Sequence, residues 1–164
     1  RTQRAPLATK GPTMDTNPVT VSLAIKAEPE VIWHALTDGA VSPAYYYGFS
    51  VESSFDPGAT YTYTAGGAKM INGTVTEVVP HESMTMTFNG AWEPGVAALP
   101  ESVVRYDLAA PLMPTPGVTV LTMTHAGMPE GDTAAGVASG WVLILSGLKT
   151  LLETGAPLVT PPAA

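Results

Sequence analysis

The sequence predicts an α+β domain in which a curved antiparallel sheet wraps around one long C-terminal helix. Three observations lead to this prediction. Only residues 131–155 keep helical periodicity over a long stretch. Most of the preceding chain alternates with the period of two that strands require. No second helix of comparable length is evident, so the apolar face of the long helix must be buried against the sheet.

The composition indicates one globular domain with an acidic body. The chain has 164 residues, of which 45% are hydrophobic and 13% charged, a balance that argues against disorder and allows a sizeable core. The formal net charge is −7, and from residue 15 onward four basic residues face fourteen acidic ones. Such a body repels phosphate backbones and anionic lipid, so we expect no nucleic-acid and no membrane partner.

The ends of the chain and its residue usage set further expectations. The absence of cysteine excludes disulfides, thiolate metal sites and cysteine nucleophiles. The longest apolar run, residues 141–145, is far shorter than the roughly 20 residues of a membrane span, and no hydrophobic signal core is evident, so a cytoplasmic protein is expected. Residues 1–17 and 156–164 lack periodicity and are predicted to be flexible tails around a domain spanning 18–155.

The predicted elements follow in order. Val19–Ile25 alternates apolar and polar residues, as a strand does. A short helix begins at Pro29, whose missing amide costs nothing in a first turn, and ends at Asp38. Gly73 suggests a bulge or bend within a later strand. Turn-forming clusters at hairpin spacing separate six further predicted strands: residues 49–54, 59–65, 70–79, 82–89, 102–109 and 118–125.

The helix over 131–155 is predicted to present one broad apolar face to the sheet. We expect Asp132 or Thr133 to cap its first turn, and Gly155 to end it in the left-handed conformation. The apolar face recurs at helical spacing and comprises Ala134, Val137, Trp141, Ile144, Leu145, Leu148 and Leu152.

Three glycines, at positions 136, 140 and 147, cluster on one flank of this helix. A glycine inside a helix costs up to about 1 kcal/mol relative to alanine, so the flank indicates a close neighbour. That neighbour could be a terminal tail, the first helix or a second copy of the chain in a homodimer.

Three segments, taken with the order of elements, resemble a known superfamily. They are PEVIWHALTD at 29–38, GTVTEVVPHESMTMTF at 73–88 and GWVLILSGLKTLLETG at 140–155. The sequence over about 19–155 resembles the START-like (SRPBCC) superfamily, and within it the group related to the C-terminal domain of the Hsp90 ATPase activator. The resemblance implies a helix-grip fold whose cavity, between sheet and C-terminal helix, often binds hydrophobic or amphipathic small molecules.

The chain departs from that pattern in two places. Relatives commonly carry a tryptophan after the first helix, where this chain has the run Tyr45, Tyr46 and Tyr47. The loop over 92–100 is long and contains proline, and it is expected near the mouth of the cavity.

Strand parity selects the candidate lining of that cavity, because alternate residues of each strand face the helix. Methionines suit an adaptable apolar pocket and tyrosine hydroxyls can orient a ligand. The alternative is that the same side chains pack into a dry core. The candidate ligand contacts are Trp33, Tyr61, Tyr63, Met84, Met86, Phe88, Tyr106, Met123, His125, Trp141 and Leu145.

His125 is the histidine on the predicted inward face. It could be a polar handle or general base at the end of the cavity, or a core histidine with satisfied hydrogen bonds, since no carboxylate partner is evident. The three histidines lack zinc-ligand spacing, so no metal is expected. No Gly-x-Ser-x-Gly elbow and no phosphate-binding loop occurs. We therefore assign no catalytic residue and expect no cofactor.

Three functions remain open at this point. The first is a non-catalytic START-like protein that binds a small hydrophobic or aromatic molecule. The second is a co-chaperone-like interaction module, as the Hsp90-activator resemblance implies. The third is an enzyme of the polyketide cyclase or dehydratase kind, for which His125 with Tyr63 or Tyr106 is the available polar set. A cavity of several hundred cubic ångströms would favour the first, and a collapsed core the second.

Overall fold

A computed structural model describes residues 18–160, and these residues confirm the predicted α+β helix-grip architecture. Seven strands form one antiparallel sheet in the order β1-β7-β6-β5-β4-β3-β2. The tail predicted for residues 1–17 and the last four residues of the chain lie outside the described part. The elements are β1 (Val19–Ile25), α1 (Pro29–Thr37), a 3₁₀ turn (Ser42–Ala44), β2 (Ser50–Glu52), β3 (Thr60–Ala65), β4 (Ala68–Val79), β5 (Ser83–Gly90), α2 (Pro94–Ala97), β6 (Ser102–Ala109), β7 (Thr119–Ala126) and α3 (Asp132–Thr154).

The inner face of the sheet carries the residues that strand parity selected. In the β5–β6 and β6–β7 registers, Met84 and Met123 both pair with Tyr106, so alternate residues of adjacent strands align on one face. The inward sets of β3, β5, β6 and β7 are at most 8% exposed, which confirms the predicted parity: Tyr61, Tyr63, Met84, Met86, Phe88, Val104, Tyr106, Leu108, Leu121, Met123 and His125.

Helix α3 covers this face as predicted. All members of its predicted apolar face are buried except Leu152, which is half-buried. The helix is long and apolar enough to cross a membrane by length and composition alone, but its packing identifies it as the core helix of the fold. At its C-terminal half, the Lys149 ammonium donates to the Ala24 carbonyl (2.7 Å) and pairs with Glu153 (2.7 Å). This hydrogen bond provides a partner for one backbone carbonyl of the edge strand β1.

The start of α3 differs from the prediction, whereas its end does not. Gly131 occupies the N-cap position with a φ of 139°, and no side chain caps the first turn. The expectation of Asp132 or Thr133 as N-cap was therefore wrong, because the helix already includes both residues. Asp132 instead puts a carboxylate in the first turn, where it offsets the partial positive charge of the helix end. Gly155 ends the helix in the left-handed conformation, with a φ of 77°, as predicted.

Gly73 lies within β4 for a different reason from the one predicted. The irregularities in the registers of β4 fall elsewhere, opposite Tyr63 in β3 and near Thr76 in the pairing with β5. A β-carbon on Gly73 would collide with the carbonyl oxygen of Thr87 and with the ring of Tyr61. The Tyr61 hydroxyl donates to that same carbonyl. Glycine is required because the Tyr61 ring crosses the strand at this point.

Two glycines on the flank of α3 face the turn that follows α1. Backbone atoms of Tyr45 lie 3.5 to 3.6 Å from where a β-carbon on Gly147 would be. The Tyr47 hydroxyl lies 3.2 Å from the corresponding point on Gly140 and donates to the Gly140 carbonyl (3.4 Å). The close neighbour inferred from the sequence is therefore the turn that carries Tyr45, Tyr46 and Tyr47, called the tyrosine turn below. This part of the flank is not free for a second copy. Gly136 has no such neighbour.

Short elements were less well predicted than long ones. The loop over 92–100 contains the short helix α2, which was not predicted, and β2 is only three residues long. The described part of the C-terminal segment lies beside α3, where Leu158 and Val159 line a narrow groove with Leu143 and Tyr47. The flexibility predicted for residues 156–164 stays a prediction.

Candidate functional site

An open cleft of about 590 Å³ lies between the first half of α3 and the neighbouring ends of β4 and β5. The tyrosine turn and α2 close its two sides. A volume of this size lies within the range of small-molecule sites. The cleft is lined by Tyr46, Tyr47, Phe49, Met70, Ile71, Phe88, Trp92, Glu93, Val96, Asp132, Thr133, Gly136, Val137, Gly140, Trp141 and Ile144.

Aromatic rings form the floor of the cleft. Tyr46 stacks on Tyr63 with the ring centroids 4.4 Å apart, and it meets Trp141 edge to face at 5.9 Å. Phe88 also packs against Trp141, with the ring centroids 6.5 Å apart. Such pairs stabilise the packing by roughly 0.5–1.5 kcal/mol each beyond the area they bury. The floor is therefore rigid, and Trp141 is its central member.

The rim of the cleft comes from the segment between β5 and β6. Trp92 is 38% exposed and its ring packs edge to face on Phe88 at 6.3 Å. Val96 of α2 is buried. A β-carbon on Gly90 would collide with Val96 and crowd Trp92. The glycine at the end of β5 therefore allows this segment to fold back over the sheet and close one end of the cleft.

The same end of the cleft carries its charged groups. Gly95 packs near the Thr133 side chain, so α2 lies against the first turn of α3. This contact brings Glu93, which precedes α2, to the same end as Asp132, and both acidic residues are exposed and line the cleft. Among the described residues that line the cleft, none is basic. The cleft thus combines aromatic walls with an acidic mouth.

Behind the floor, buried hydrogen bonds connect α3 to three strands. The indole N–H of Trp141 donates to Nδ1 of His125 (3.0 Å), and Nε2 of His125 lies 2.7 Å from Oγ of Ser102. The Ser102 hydroxyl donates in turn to the Phe88 carbonyl (3.4 Å). Each of these side chains is at most 6% exposed. Every buried side-chain polar atom in the described part of the chain has a partner.

This arrangement assigns the tautomer of His125. An indole can only donate, so Nδ1 of His125 must be the unprotonated, accepting nitrogen and Nε2 must carry the proton that is donated to Ser102. Burial lowers the pKa of His125 from 6.5 to about 4, because the charged imidazolium would lose its hydration. A proton on Nδ1 would also oppose the Trp141 N–H. His125 is thus a neutral, fully hydrogen-bonded core histidine at physiological pH.

The tyrosines of the floor are neutral as well. Burial raises the pKa of Tyr46 well above 10.0, and repulsion between its phenolate and those of Tyr106 and Tyr63 would raise it further. Burial likewise raises the pKa of Tyr106. These hydroxyls therefore keep their protons, and the floor offers neutral polar groups rather than charges.

The structure separates the eleven predicted ligand contacts into three groups. Phe88 and Trp141 line the cleft. Trp33 lies elsewhere, packed edge to face on His81 with the ring centroids 6.0 Å apart. The other eight do not line the cleft and pack in the buried core beside or beneath its floor: Tyr61, Tyr63, Met84, Met86, Tyr106, Met123, His125 and Leu145.

The predicted set was drawn from β3, β5, β6, β7 and the two predicted helices, so it missed the lining residues that lie in β4 and in the loops. Tyr47 and Phe49 belong to the turn after α1, and Trp92 belongs to the loop before α2. The available signal was the departure of both segments from the superfamily pattern. No group of three or more His, Asp or Glu side chains suited to a metal occurs within residues 18–160.

The family of the chain follows from comparison with known proteins. The family model described as "Activator of Hsp90 ATPase homolog 1-like protein" (AHSA1) matches residues 26–153. The chain belongs to this family. The match confirms the resemblance to the Hsp90-activator group of the START-like superfamily. No curated protein matches the chain.

Solved structures share the fold of this AHSA1-like chain. The Aha1 dimer from Colwellia psychrerythraea is 22% identical with a TM-score of 0.67, over 84% of this chain and 97% of that one. MLL2253 from Mesorhizobium loti is 26% identical with a TM-score of 0.67, over 83% and 96%. CalU16 from Micromonospora echinospora is 18% identical with a TM-score of 0.66, over 85% and 76%. These structural matches establish the helix-grip fold. At identities this low they do not establish function, which has to be argued from the residues of the site.

Proposed function

We propose that this AHSA1-like protein binds a small hydrophobic or aromatic molecule in the cleft between α3 and the sheet. The observation that carries the proposal is the cleft itself, about 590 Å³ in volume and lined mainly by aromatic and aliphatic side chains. Binding sites for small molecules commonly combine this size with an apolar wall and a few polar groups.

The surroundings of the cleft support binding rather than collapse. The Trp141–His125–Ser102 hydrogen bonds and the stacking of Tyr46 on Tyr63 fix the floor. A preformed wall lowers the entropic cost of ordering side chains when a ligand enters. Met70 at one side and Trp92 at the rim are the adaptable members, a thioether and a part-exposed ring.

The cleft contributes shape and apolar surface to this proposed role, without a placed acid–base pair. His125 has both ring nitrogens engaged, so it is not poised to exchange a proton with a ligand. A cyclase-like reaction would need Glu93 or Asp132 to act from the solvent-exposed mouth. We therefore base the proposal on binding alone.

The test is a titration with naphthalen-1-ylmethanol, a neutral aromatic probe, followed by calorimetry. We expect saturable binding to the wild-type protein. Gly136→Phe should weaken it at least tenfold, because Gly136 lines the cleft and no atom lies within 4 Å of the position of an added β-carbon. Ala135→Phe is the matched control, since Ala135 is exposed on the same helix and outside the lining.

The two variants separate binding in the cleft from binding elsewhere. Equal affinity of wild-type protein and Gly136→Phe would contradict the proposal, as would the absence of binding to the wild-type protein. Both variants replace exposed residues of α3, so both should fold. From helix propensity, Gly136→Phe should raise the thermal midpoint slightly and Ala135→Phe should lower it slightly.

A protein-interaction role is the second candidate, and family membership favours it. The family description names an activator of the Hsp90 ATPase, and the Aha1 protein from Colwellia psychrerythraea is a dimer. Leu112 and Met113, in the β6–β7 hairpin loop, are fully or largely exposed apolar side chains, as contact residues can be. Self-association predicts a solution mass of two chains, and substitution of both residues by serine should then restore a mass of one chain.

A further inference from the structure

We propose that the cleft selects aromatic molecules that carry a positive charge, such as aryl-alkyl ammonium ions, over neutral and anionic ones of the same shape. This inference rests on the proposed function and names the class of ligand. It comes from the charge at the mouth of the cleft, which the aromatic lining alone does not explain.

Two carboxylates lie at the mouth of the cleft. Glu93 and Asp132 belong to different elements, and the contact of Gly95 with Thr133 brings them to one end of the cleft. Both line the cleft, and neither forms a salt bridge in the described part of the chain. A cationic group at this end would therefore meet two negative charges that have no ion-pair partner among residues 18–160.

The indole ring of Trp92 lies beside those charges. Trp92 directly precedes Glu93 and is 38% exposed at the rim. An ammonium group near the face of an indole gains roughly 0.5–2 kcal/mol, more when it leaves water. A ligand whose ring lies on Tyr46 and Trp141 could reach the mouth with its charged end, where Trp92 and both carboxylates lie.

Few basic side chains compete with a cationic ligand for these carboxylates. Residues 18–160 contain thirteen acidic and four basic side chains. Arg105 pairs with Asp107 and Glu77, Lys149 pairs with Glu153, and no basic side chain of residues 18–160 lines the cleft. The field of the body therefore also attracts cations.

The first turn of α3 is the opposing contribution. A helix N-terminus carries a partial positive charge of about half a unit and favours anions. Here Asp132 lies in that turn and offsets the partial charge, and Glu93 adds a full negative charge beside it. The balance at this end of the cleft is negative.

The experiment compares three probes of one shape, naphthalen-1-ylmethylammonium, naphthalen-1-ylmethanol and 1-naphthoate, by calorimetry at pH 7.5 in low salt. We expect the ammonium probe to bind about tenfold more tightly than the alcohol, and the carboxylate at least tenfold more weakly, as two unscreened charges at contact distance would produce. Raising the salt to 0.5 M should reduce the preference for the ammonium probe.

A double variant identifies the groups responsible. Glu93→Gln with Asp132→Asn should reduce the ammonium-over-alcohol preference to less than threefold. Both probes are measured on the same variant, so the preference is compared as a ratio and does not depend on the absolute affinity for the alcohol. Glu52→Gln, an exposed carboxylate of β2 outside the lining, is the matched control and should keep the tenfold preference.

The outcomes distinguish this inference from the proposed function. If the alcohol binds in the cleft but the ammonium probe binds no better, or if the carboxylate binds best, the charge selection is wrong and the binding role stands. If none of the three probes binds, the proposed function fails and the selection fails with it. A preference that survives in the double variant would overturn the assignment to Glu93 and Asp132.

Discussion

Replacement of Trp141 by phenylalanine tests the physical basis of the cleft floor. The change removes the indole N–H that His125 accepts and leaves a buried acceptor without a partner, which costs about 1–3 kcal/mol. The smaller ring also leaves a void of roughly 40 Å³, which costs about 1 kcal/mol at 24 cal/mol per Å³. We therefore expect Trp141→Phe to lower the free energy of unfolding by about 2–4 kcal/mol at pH 7.5.

Urea denaturation monitored by circular dichroism measures this loss, and Trp92→Phe is the matched control. Trp92 is exposed at the rim and donates no hydrogen bond to another described side chain, so its loss should cost less than about 1 kcal/mol. A double-mutant cycle with His125→Phe should yield a coupling energy of about 1–2 kcal/mol, since both polar partners are then removed together. Equal losses in Trp141→Phe and Trp92→Phe, or no coupling to His125, would refute the reasoning.

Three further predictions concern acid stability and backbone packing. The pKa of His125 is lowered from 6.5 to about 4 in the folded protein, so its contribution to the free energy of unfolding is complete above pH 6.5. The contribution falls as the pH drops and the unfolded state binds a proton, and it is about 3 kcal/mol smaller below pH 4. In His125→Gln, the free energy of unfolding measured by urea titration at each pH should therefore decrease less over this range. Gly73→Ala should destabilise by more than about 2 kcal/mol in urea, because its β-carbon would collide with the Thr87 carbonyl. Gly136→Ala, at an open helical position, should raise the thermal midpoint by the equivalent of up to about 1 kcal/mol.

Long periodic segments were predicted well because buried residues recur along them with the period of the strand or helix. The parity of β5 and β7 placed Met86 and Met123 on the inner face, and the 3.6-residue period of α3 placed Trp141 there. The glycine flank of α3 also carried correct information, namely that Gly140 and Gly147 face a close neighbour. Its identity, the tyrosine turn, depends on tertiary packing that periodicity does not encode.

The lining of the cleft was harder to predict than the fold, because it depends on tertiary packing that periodicity does not encode. The cleft exists where α3, the tyrosine turn and α2 fail to fill the space above the sheet, and that depends on loops with no period. Parity therefore selected core residues such as Met84, which lies below the cleft, and missed Phe49 and Trp92. The hydrogen bond from Trp141 to His125 could also not be predicted from sequence spacing, because the two residues are sixteen positions apart and belong to different elements.

The most direct test of the central claim is a ¹H–¹⁵N NMR titration of the wild-type protein with naphthalen-1-ylmethanol. The account predicts saturable shifts concentrated on the indole signals of Trp92 and Trp141 and on the amides of Val96, Gly136 and Val137, which line the cleft. Residues of the outer face, such as Arg105, should not shift. Shifts concentrated away from the cleft, or none at a saturating probe concentration, would contradict the account.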